Sequence, residues 1–451
     1  MNRTPEAYDT ARGRSGACLT HNPYNRECPA DPARTESRVS SHARAQRALL
    51  SLSLALVLLV VPSAWASSAE PDRIGGMPVA GDPVLASAAP EVSIPAGVLW
   101  TSDGRPLWER DADARRAMAS TTKLMTALVV LDSADLEEVV TVSRRAASVG
   151  EAGVELVAGQ KMTVREMLEA TLVRSGNDAA YALAEHVAGS VEAFVQRMND
   201  KAAELGLDDT AFANPHGLDA VGHYTSASDL ATLATVVMAD ERFAAMVTQP
   251  RVSVRSAGGS VKVYENSNKL LDSYAGATGI KTGWTNKAGY CVVASAEREE
   301  VGLIAVVLGA VSEDDRFDQA RTLLDWGFDH YALTPVSSAE ETAALVSVTD
   351  YLDRTVAARV AQTVSVPVFD LDGEVTSRID VIEEVDAPVV AGQRLGTLTV
   401  VQGDRLLAQV ALVAASDVPA PDLGESIGIW FTRLWRTLFG GERMAEPVFV
   451  M

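Results

Sequence analysis

Between residues 251 and 309 the chain runs through five short β-rich segments, RVSVRS, KVYEN, GIKTGWT, GYCVVASA and VGLIAVVLG, with turn residues between them. The connections are too short to hold crossover helices, so the strands must pair antiparallel. The stretch before them is helical. Thr163 with Glu166 and Ser226 with Asp229 form capping boxes in a block from about 163 to 240, and 178–188 and 191–205 read as helices between them. GVLWTSDGRPLWERD, with Asp103-Gly104 at its centre, is a hairpin, and 313–328 is a further helix. This order predicts an α+β fold, an antiparallel sheet flanked by helices. From 343 to 415 only short strands follow, which predicts a small C-terminal β-sandwich domain. At 451 residues the chain has room for two or three domains.

The N-terminal part has another purpose. Arg44 and Arg47 precede the apolar run ALLSLSLALVLLVV, and Ala64 and Ala66 then form a small-residue cleavage site. Residues 1–66 are therefore expected to be an N-terminal extension with a signal peptide, and 67–90 a flexible leader rich in Ser, Ala, Pro and Gly. The bulk of the chain is expected to work outside the cytoplasm. A net charge of −21 leaves no basic footprint, so nucleic acid is excluded as a partner. Cys18 and Cys28 lie in the removable segment, which leaves Cys291 as a buried small hydrophobe. His216 and His223 stand seven apart without a carboxylate at ligand spacing, so they read as loop residues, and neither metal nor cofactor is expected.

The tail returns to helical periodicity. In ESIGIWFTRLWRTLFGG, Ile427, Trp430, Phe431, Leu434, Trp435, Leu438 and Phe439 make one apolar stripe, with Arg433 and Arg436 off it. Such a helix can dock on the protein's own core. Tryptophans at a polar–apolar boundary, flanking arginines and a preceding Pro-rich linker fit better a helix over 425–440 lying in a membrane interface. It is too short and too charged to span.

Chemistry enters at MASTTKLMTAL, residues 118–128. Met118, Leu124, Met125 and Leu128 suit burial, whereas Ser120 and Lys123 share one helix face. Alone, this pair is either a solvated edge or a nucleophile with its base. Two distant motifs bear on the choice: Ser175-Gly176-Asn177 ahead of a helix, and Lys281-Thr282-Gly283 on a strand, followed by Trp284. A serine hydroxyl needs a base to take its proton. Lys123 can do so only when neutral, which requires its pKa to fall by about three units from about 10.4. A second cation at ~4 Å supplies about 4 kcal/mol at an effective dielectric of ~20. Lys281 is the candidate for that charge, with burial helping. Lys281 and Thr282 can bind a substrate carboxylate, and Gly283 can let a substrate backbone approach. The N–H groups of Ser120 and Trp284 can hold an oxyanion, Ser175 can relay a proton to the leaving amine, and Asn177 can orient Lys123.

Together, Ser120-Thr121-Thr122-Lys123, Ser175-Gly176-Asn177 and Lys281-Thr282-Gly283 resemble the S-x-x-K, S-D-N and K-T-G set of the penicillin-recognising serine acyltransferases. SGNDAAYALAEHVAG, FANPHGLDAVGHYTSASDLATLA and GIKTGWTNKAGYCVVASA narrow the resemblance to the D-alanyl-D-alanine carboxypeptidases, low-molecular-mass penicillin-binding proteins. The resemblance implies a β-lactamase/transpeptidase-like catalytic domain over 91–335, a second β domain and a membrane anchor. It also implies peptidoglycan stem peptides as substrate, acylation of Ser120, release of terminal D-alanine, and β-lactam antibiotics as inhibitors. Some members have histidine after K-T-G, where this chain has Trp284. Glu204, in ELGLD, follows Ser175 too closely to match the deacylating glutamate of class A β-lactamases, so slow turnover of penicillin is expected. A DD-endopeptidase with the same site, or a non-catalytic penicillin or peptidoglycan receptor, are the rival readings.

Overall fold

The computed structural model describes residues 89–439, together with the backbone of two short strands, Asp72–Arg73 and Val448–Phe449. The expected signal peptide and almost all of the expected leader lie outside the described residues.

Five strands form the central sheet: β1 (Ala96–Thr101), β2 (Pro106–Arg110), β3 (Ala277–Thr285), β4 (Gly289–Arg298) and β5 (Val301–Ala310). Their order is β2-β1-β5-β4-β3, and every pairing is antiparallel. The β1–β2 hairpin turns at the expected Asp103-Gly104, where Gly104 takes a positive φ of 91°. β4 and β5 read as nearly unbroken apolar runs because both faces of the sheet are covered. Val293, Ile304 and Val306 join one core with the helical block, and Val292, Leu303 and Ala305 join another.

The helical block consists of α1 (Lys123–Ser133), α2 (Val164–Leu172), α3 (Asn177–Ala188), α4 (Val191–Glu204), α5 (Ala227–Met238) and α6 (Glu241–Val247). α7 (Glu313–His330) covers the opposite face of the sheet through Phe317, Ala320, Leu323 and Leu324. The antiparallel sheet flanked by helices thus stands as expected. Thr163 and Glu166 make a reciprocal capping box on α2. At α5 only half of one exists. Ser226 accepts from the Asp229 N–H, but the Asp229 carboxylate accepts instead from Thr210 Oγ1 and the Asp209 N–H.

The runs RVSVRS and KVYEN depart from expectation. They pair only with each other, as a two-stranded ribbon of Arg251–Arg255 and Val261–Glu265 outside the central sheet. The reason lies in their pattern. Val252 and Val254 are buried between exposed neighbours, so the ribbon has one apolar face and could not be enclosed on both sides as β4 is.

Beyond α7 the chain becomes all strand. A ribbon of Tyr331–Ser337 with Val364–Phe369 accompanies a larger sheet whose central strands are Val375–Val381, Arg394–Gln402, Arg405–Ala414, Thr355–Val360 and Thr342–Val348. Its core, with Val346, Val356, Leu398, Val400 and Leu412, is separate from the two that enclose the central sheet. Helix α8 (Leu423–Phe439) follows these strands. No helix among the described residues is long and apolar enough to cross a membrane.

One glycine fixes how closely α7 approaches the sheet. A Cβ at Gly327 would stand 2.7 Å from both Leu99 Cδ2 and Leu303 Cδ1. Gly327→Val should therefore overpack this seam and lower the unfolding free energy by about 1–3 kcal/mol. The readout is the denaturant midpoint at unchanged m-value, and an unshifted midpoint would refute the tight seam.

Candidate active site

Ser120 sits in a 3-10 turn, Ala119–Thr122, that leads into α1. The turn is locally unfavourable, since Ala119 adopts a φ of +49°. Side chains hold it there. Thr121 Oγ1 donates to the Met118 carbonyl at 2.6 Å and Thr122 Oγ1 to that of Ala119 at 2.8 Å. Thr122 Oγ1 also meets His223 Nε2 at 2.8 Å, while His223 Nδ1 accepts from the Ala213 N–H at 3.0 Å. With Nδ1 accepting, the proton of the neutral ring lies on Nε2. Burial first holds His223 down at about 4, so the ring stays neutral, and its two nitrogens pin the turn to the chain at residue 213. The described residues contain no cluster suited to a metal ion.

Lys123 is fully buried. Its Nζ has three polar neighbours: the His216 carbonyl at 2.6 Å, Asn177 Oδ1 at 2.8 Å and Ser120 Oγ at 2.9 Å. Asn177 is oriented by its other end, where Nδ2 donates to the Gly150 carbonyl at 3.2 Å. Two of the three neighbours can only accept. A neutral amine gives them its two N–H groups and is left with a lone pair facing the Ser120 hydroxyl. The Lys123 pKa is pushed well below its ordinary value, by burial first and by the Lys281 charge second, against an opposing pull from Asp178. Both expected causes act, but burial is the larger.

Lys281 is itself buried, and its Nζ donates to the Thr282 carbonyl at 3.0 Å. Burial, then Arg316 and Arg174, bring its pKa down to about 7. Thr282 Oγ1 donates to Ser267 Oγ at 2.8 Å. Gly283 is required to be small by its own surroundings. A Cβ there would lie 2.8 Å from Ser120 N and 3.0 Å from Ala119 Cβ, so the glycine lets the serine-bearing turn press onto β3.

Ser120, Ser175, Thr282, Gly283 and Trp284 line one cavity of about 610 Å³, with Arg174, Ser267 and Arg316. Ser175 takes a φ of +69° and makes no hydrogen bond to Ser120 or Lys123, and Gly176 rather than Ser175 caps α3. Trp284 is half exposed and stands 5.9 Å from the Tyr290 ring. Glu204 lines no part of the cavity and pairs with Lys201 at the end of α4. A second cavity of about 660 Å³, lined in part by Ser102, Thr278 and Ser295, contains none of the motif residues.

Several contributors carry no sequence motif. Arg316 Nη1 donates to the Gly283 carbonyl at 3.2 Å. Asp178 accepts from the N–H groups of Val154 and Leu156 at 3.0–3.1 Å and so ties down the 150–157 loop beside Asn177. Asn214 Oδ1 accepts from the N–H groups of His216 and Gly217, which aims the His216 carbonyl. A Cβ at Gly217 would lie 2.0 Å from the Ala119 carbonyl oxygen. Only Asp178 had a local signal, directly after Ser175-Gly176-Asn177. The others depend on contacts across the fold.

The family profile described as D-alanyl-D-alanine carboxypeptidase matches residues 86–312. D-alanyl-D-alanine carboxypeptidase DacF of Bacillus subtilis is 35% identical over 324 residues, covering 70% of this chain and 83% of that protein. The chain belongs to this family. It is a serine peptidase of the D-alanyl-D-alanine carboxypeptidase family, with the transpeptidase-like fold. DacC of Escherichia coli is 32% identical over 363 residues, 77% of this chain and 88% of that protein. A second profile, the C-terminal domain of penicillin-binding protein 5, matches residues 331–420. Among solved structures, the carboxypeptidase DacD of Francisella tularensis matches with a TM-score of 0.55 at 26% identity, over 74% of this chain and 96% of that one. The Streptomyces K15 DD-transpeptidase matches with 0.51 at 32% identity, over 53% and 98%.

The buried lysines leave a measurable trace on carboxypeptidase stability. Lys281 has an ordinary pKa of 10.5 and a folded one of about 7. Between these values the unfolded chain binds a proton that the folded chain does not. Stability tied to Lys281 is therefore full above 10.5 and is lost as pH falls toward 7. From about pH 8 to 10, wild-type stability should climb relative to Lys281→Met by up to ~1.4 kcal/mol per pH unit. Denaturant titrations of both proteins test this, and parallel pH profiles would overturn it.

Proposed function

We propose that the protein removes the terminal D-alanine from peptidoglycan stem pentapeptides through an acyl-enzyme on Ser120. The observation carrying this reading is the surroundings of Lys123, a fully buried amine 2.9 Å from Ser120 Oγ whose pKa is pushed well down by burial and the Lys281 charge. In the proposed cycle Lys123 takes the Ser120 proton as Oγ attacks the penultimate carbonyl carbon. The N–H groups of Ser120 and Trp284 hold the oxyanion, each worth about 10²–10³ in rate. Thr282 receives the terminal carboxylate, with the charges of Lys281 and Arg316 behind it. Gly283 keeps the ground before Ser120 clear, and Asn177 holds Lys123 in line. The proton passes through Ser175 to the leaving D-alanine amine. Water then attacks the ester, with Lys123 again as base, and frees the shortened peptide. Penicillin acylates the same serine, and its ester is cleared slowly because Glu204, the residue whose sequence context echoes the β-lactamase glutamate, lines no part of the cavity.

The same reading places the enzyme outside the cytoplasm. Residues 1–66 direct export and 67–90 form the leader. The catalytic domain spans 91–335, and the β-sandwich domain, with a spacer or docking role, spans 343–415. The helix over 425–440 attaches the enzyme peripherally to the outer face of the cytoplasmic membrane. Supporting this are the apolar run after Arg47, the amphipathic tail, and the match of 331–420 to the C-terminal domain of penicillin-binding protein 5.

Two measurements test the chemistry. Intact-mass spectrometry with a labelled penicillin should show one adduct on the wild type and none on Ser120→Ala, and stoichiometric labelling of the variant would refute the assignment. In addition, kcat/KM should fall as pH drops through the Lys123 pKa, about tenfold per pH unit, because the protonated amine cannot accept from Ser120. An acid limb that persists unchanged in Lys123→Ala would remove Lys123 as the base.

A further inference from the structure

Helix α8 has two faces with different partners. Its half-buried side chains are Ile429, Thr432, Arg433 and Arg436, the i, i+3, i+4, i+7 stripe of a single face. Ile429 packs on the β-domain core. Arg433 Nη2 donates to the Thr349 carbonyl and, at 3.1 Å, to that of Tyr351. Arg436 pairs with Asp353 at 3.4 Å. Tyr351 Oη donates in turn to the Pro419 carbonyl at 2.9 Å, which ties the linker ahead of the helix to the same patch. On the opposite side Trp430, Phe431, Trp435, Leu438 and Phe439 are 58–67% exposed.

Helices that lie in a membrane surface commonly offer cations to anionic headgroups. Here both cations of α8 point at the protein, and the outward face carries apolar side chains. The chain's net charge of −21 further disfavours an anionic surface, and disfavours a second copy of the chain. We infer that this outward face seats in a bilayer by apolar burial alone, without preference for anionic lipid, while Arg433 and Arg436 clamp the helix to the β domain. The inference rests on the membrane attachment proposed above. It makes α8 a fixed foot of the β domain rather than a swinging tether.

The test measures partition of the full chain by vesicle flotation. One set of vesicles is pure phosphatidylcholine, and the other holds phosphatidylcholine and phosphatidylglycerol in equal parts. Partition into the anionic set should not exceed that into the neutral set at low or high salt, whereas two arginines on headgroups would favour the anionic set by about 30-fold. Arg433→Ala with Arg436→Ala should keep partition while speeding hydrogen exchange in 423–439, and Trp435→Glu should weaken binding to both sets. Binding that needs phosphatidylglycerol, or that falls with the arginine substitutions, would overturn the inference and leave attachment standing. Absence of binding to either set would overturn attachment itself. A dimer in sedimentation that Trp435→Glu dissociates would assign the face to a second copy of the chain and overturn the inference too.

Discussion

The site is built around one buried amine whose proton affinity is pushed well below a lysine's ordinary value. Lys123 Nζ lies wholly inside the protein, between the His216 carbonyl and Asn177 Oδ1, with Ser120 Oγ as its third neighbour. Carbonyl oxygens alone would stabilise the ammonium form, so geometry does not decide the charge. Burial and the nearby Lys281 prevail over those carbonyls and over Asp178. Each neighbour arrives on a different element: Ser120 on the 3-10 turn, Asn177 at the start of α3, His216 on the loop before α5, and Lys281 on β3. The fold thereby brings Ser120, Asn177 and the His216 carbonyl within hydrogen-bond distance of one side chain, with the Lys281 charge near enough to act on it.

Such a centre is costly to fold around, and the scaffold shows how the cost is offset. Two lysines are almost without solvent contact, and each has its pKa lowered. Around them lie Met118, Leu124 and Met125 from the catalytic segment and an apolar core that gathers all six helices of the block with one face of the sheet. The unfavourable φ angles at Ala119 and Ser175 sit beside the same centre. Strain, buried amines and the approach of Gly283 to Ser120 N are concentrated where chemistry needs fixed positions. The flanking helices, by contrast, carry ordinary caps and ordinary apolar faces.

What could be read from sequence follows the range of the forces involved. The β1–β2 hairpin, the helices around 178–188 and 191–205, and the start of α2 are set by neighbours a few residues away, and they stand where local signals put them. Ser120, Lys123 and the two distant triplets could be singled out by spacing and residue type, and the fold brings Ser120, Lys123 and Asn177 within hydrogen-bond distance. Arg316, Arg174, Ser267 and the His216 carbonyl were not, because their roles come from contacts across the fold. The 251–265 ribbon was misplaced because β propensity says that a segment is a strand but not which sheet it enters. The weighting of burial over Lys281 was equally invisible, since depth in a core is a property of the assembled molecule.

The tail helix carries the same lesson to the surface. Its sequence allowed two destinations, the protein's own core or a membrane interface, and these looked exclusive while the apolar stripe was taken as the only binding face. The structure separates them by direction. The arginine side meets the β domain and the aromatic side meets solvent, so docking and exposure of the stripe occur together. Arg433 and Arg436 are held by backbone carbonyls and a carboxylate, as an arginine fork favours. Had the aromatic side met the β domain instead, the arginines would face outward and the helix would have no large apolar surface to offer. The orientation of two guanidinium groups therefore decides what this helix can bind.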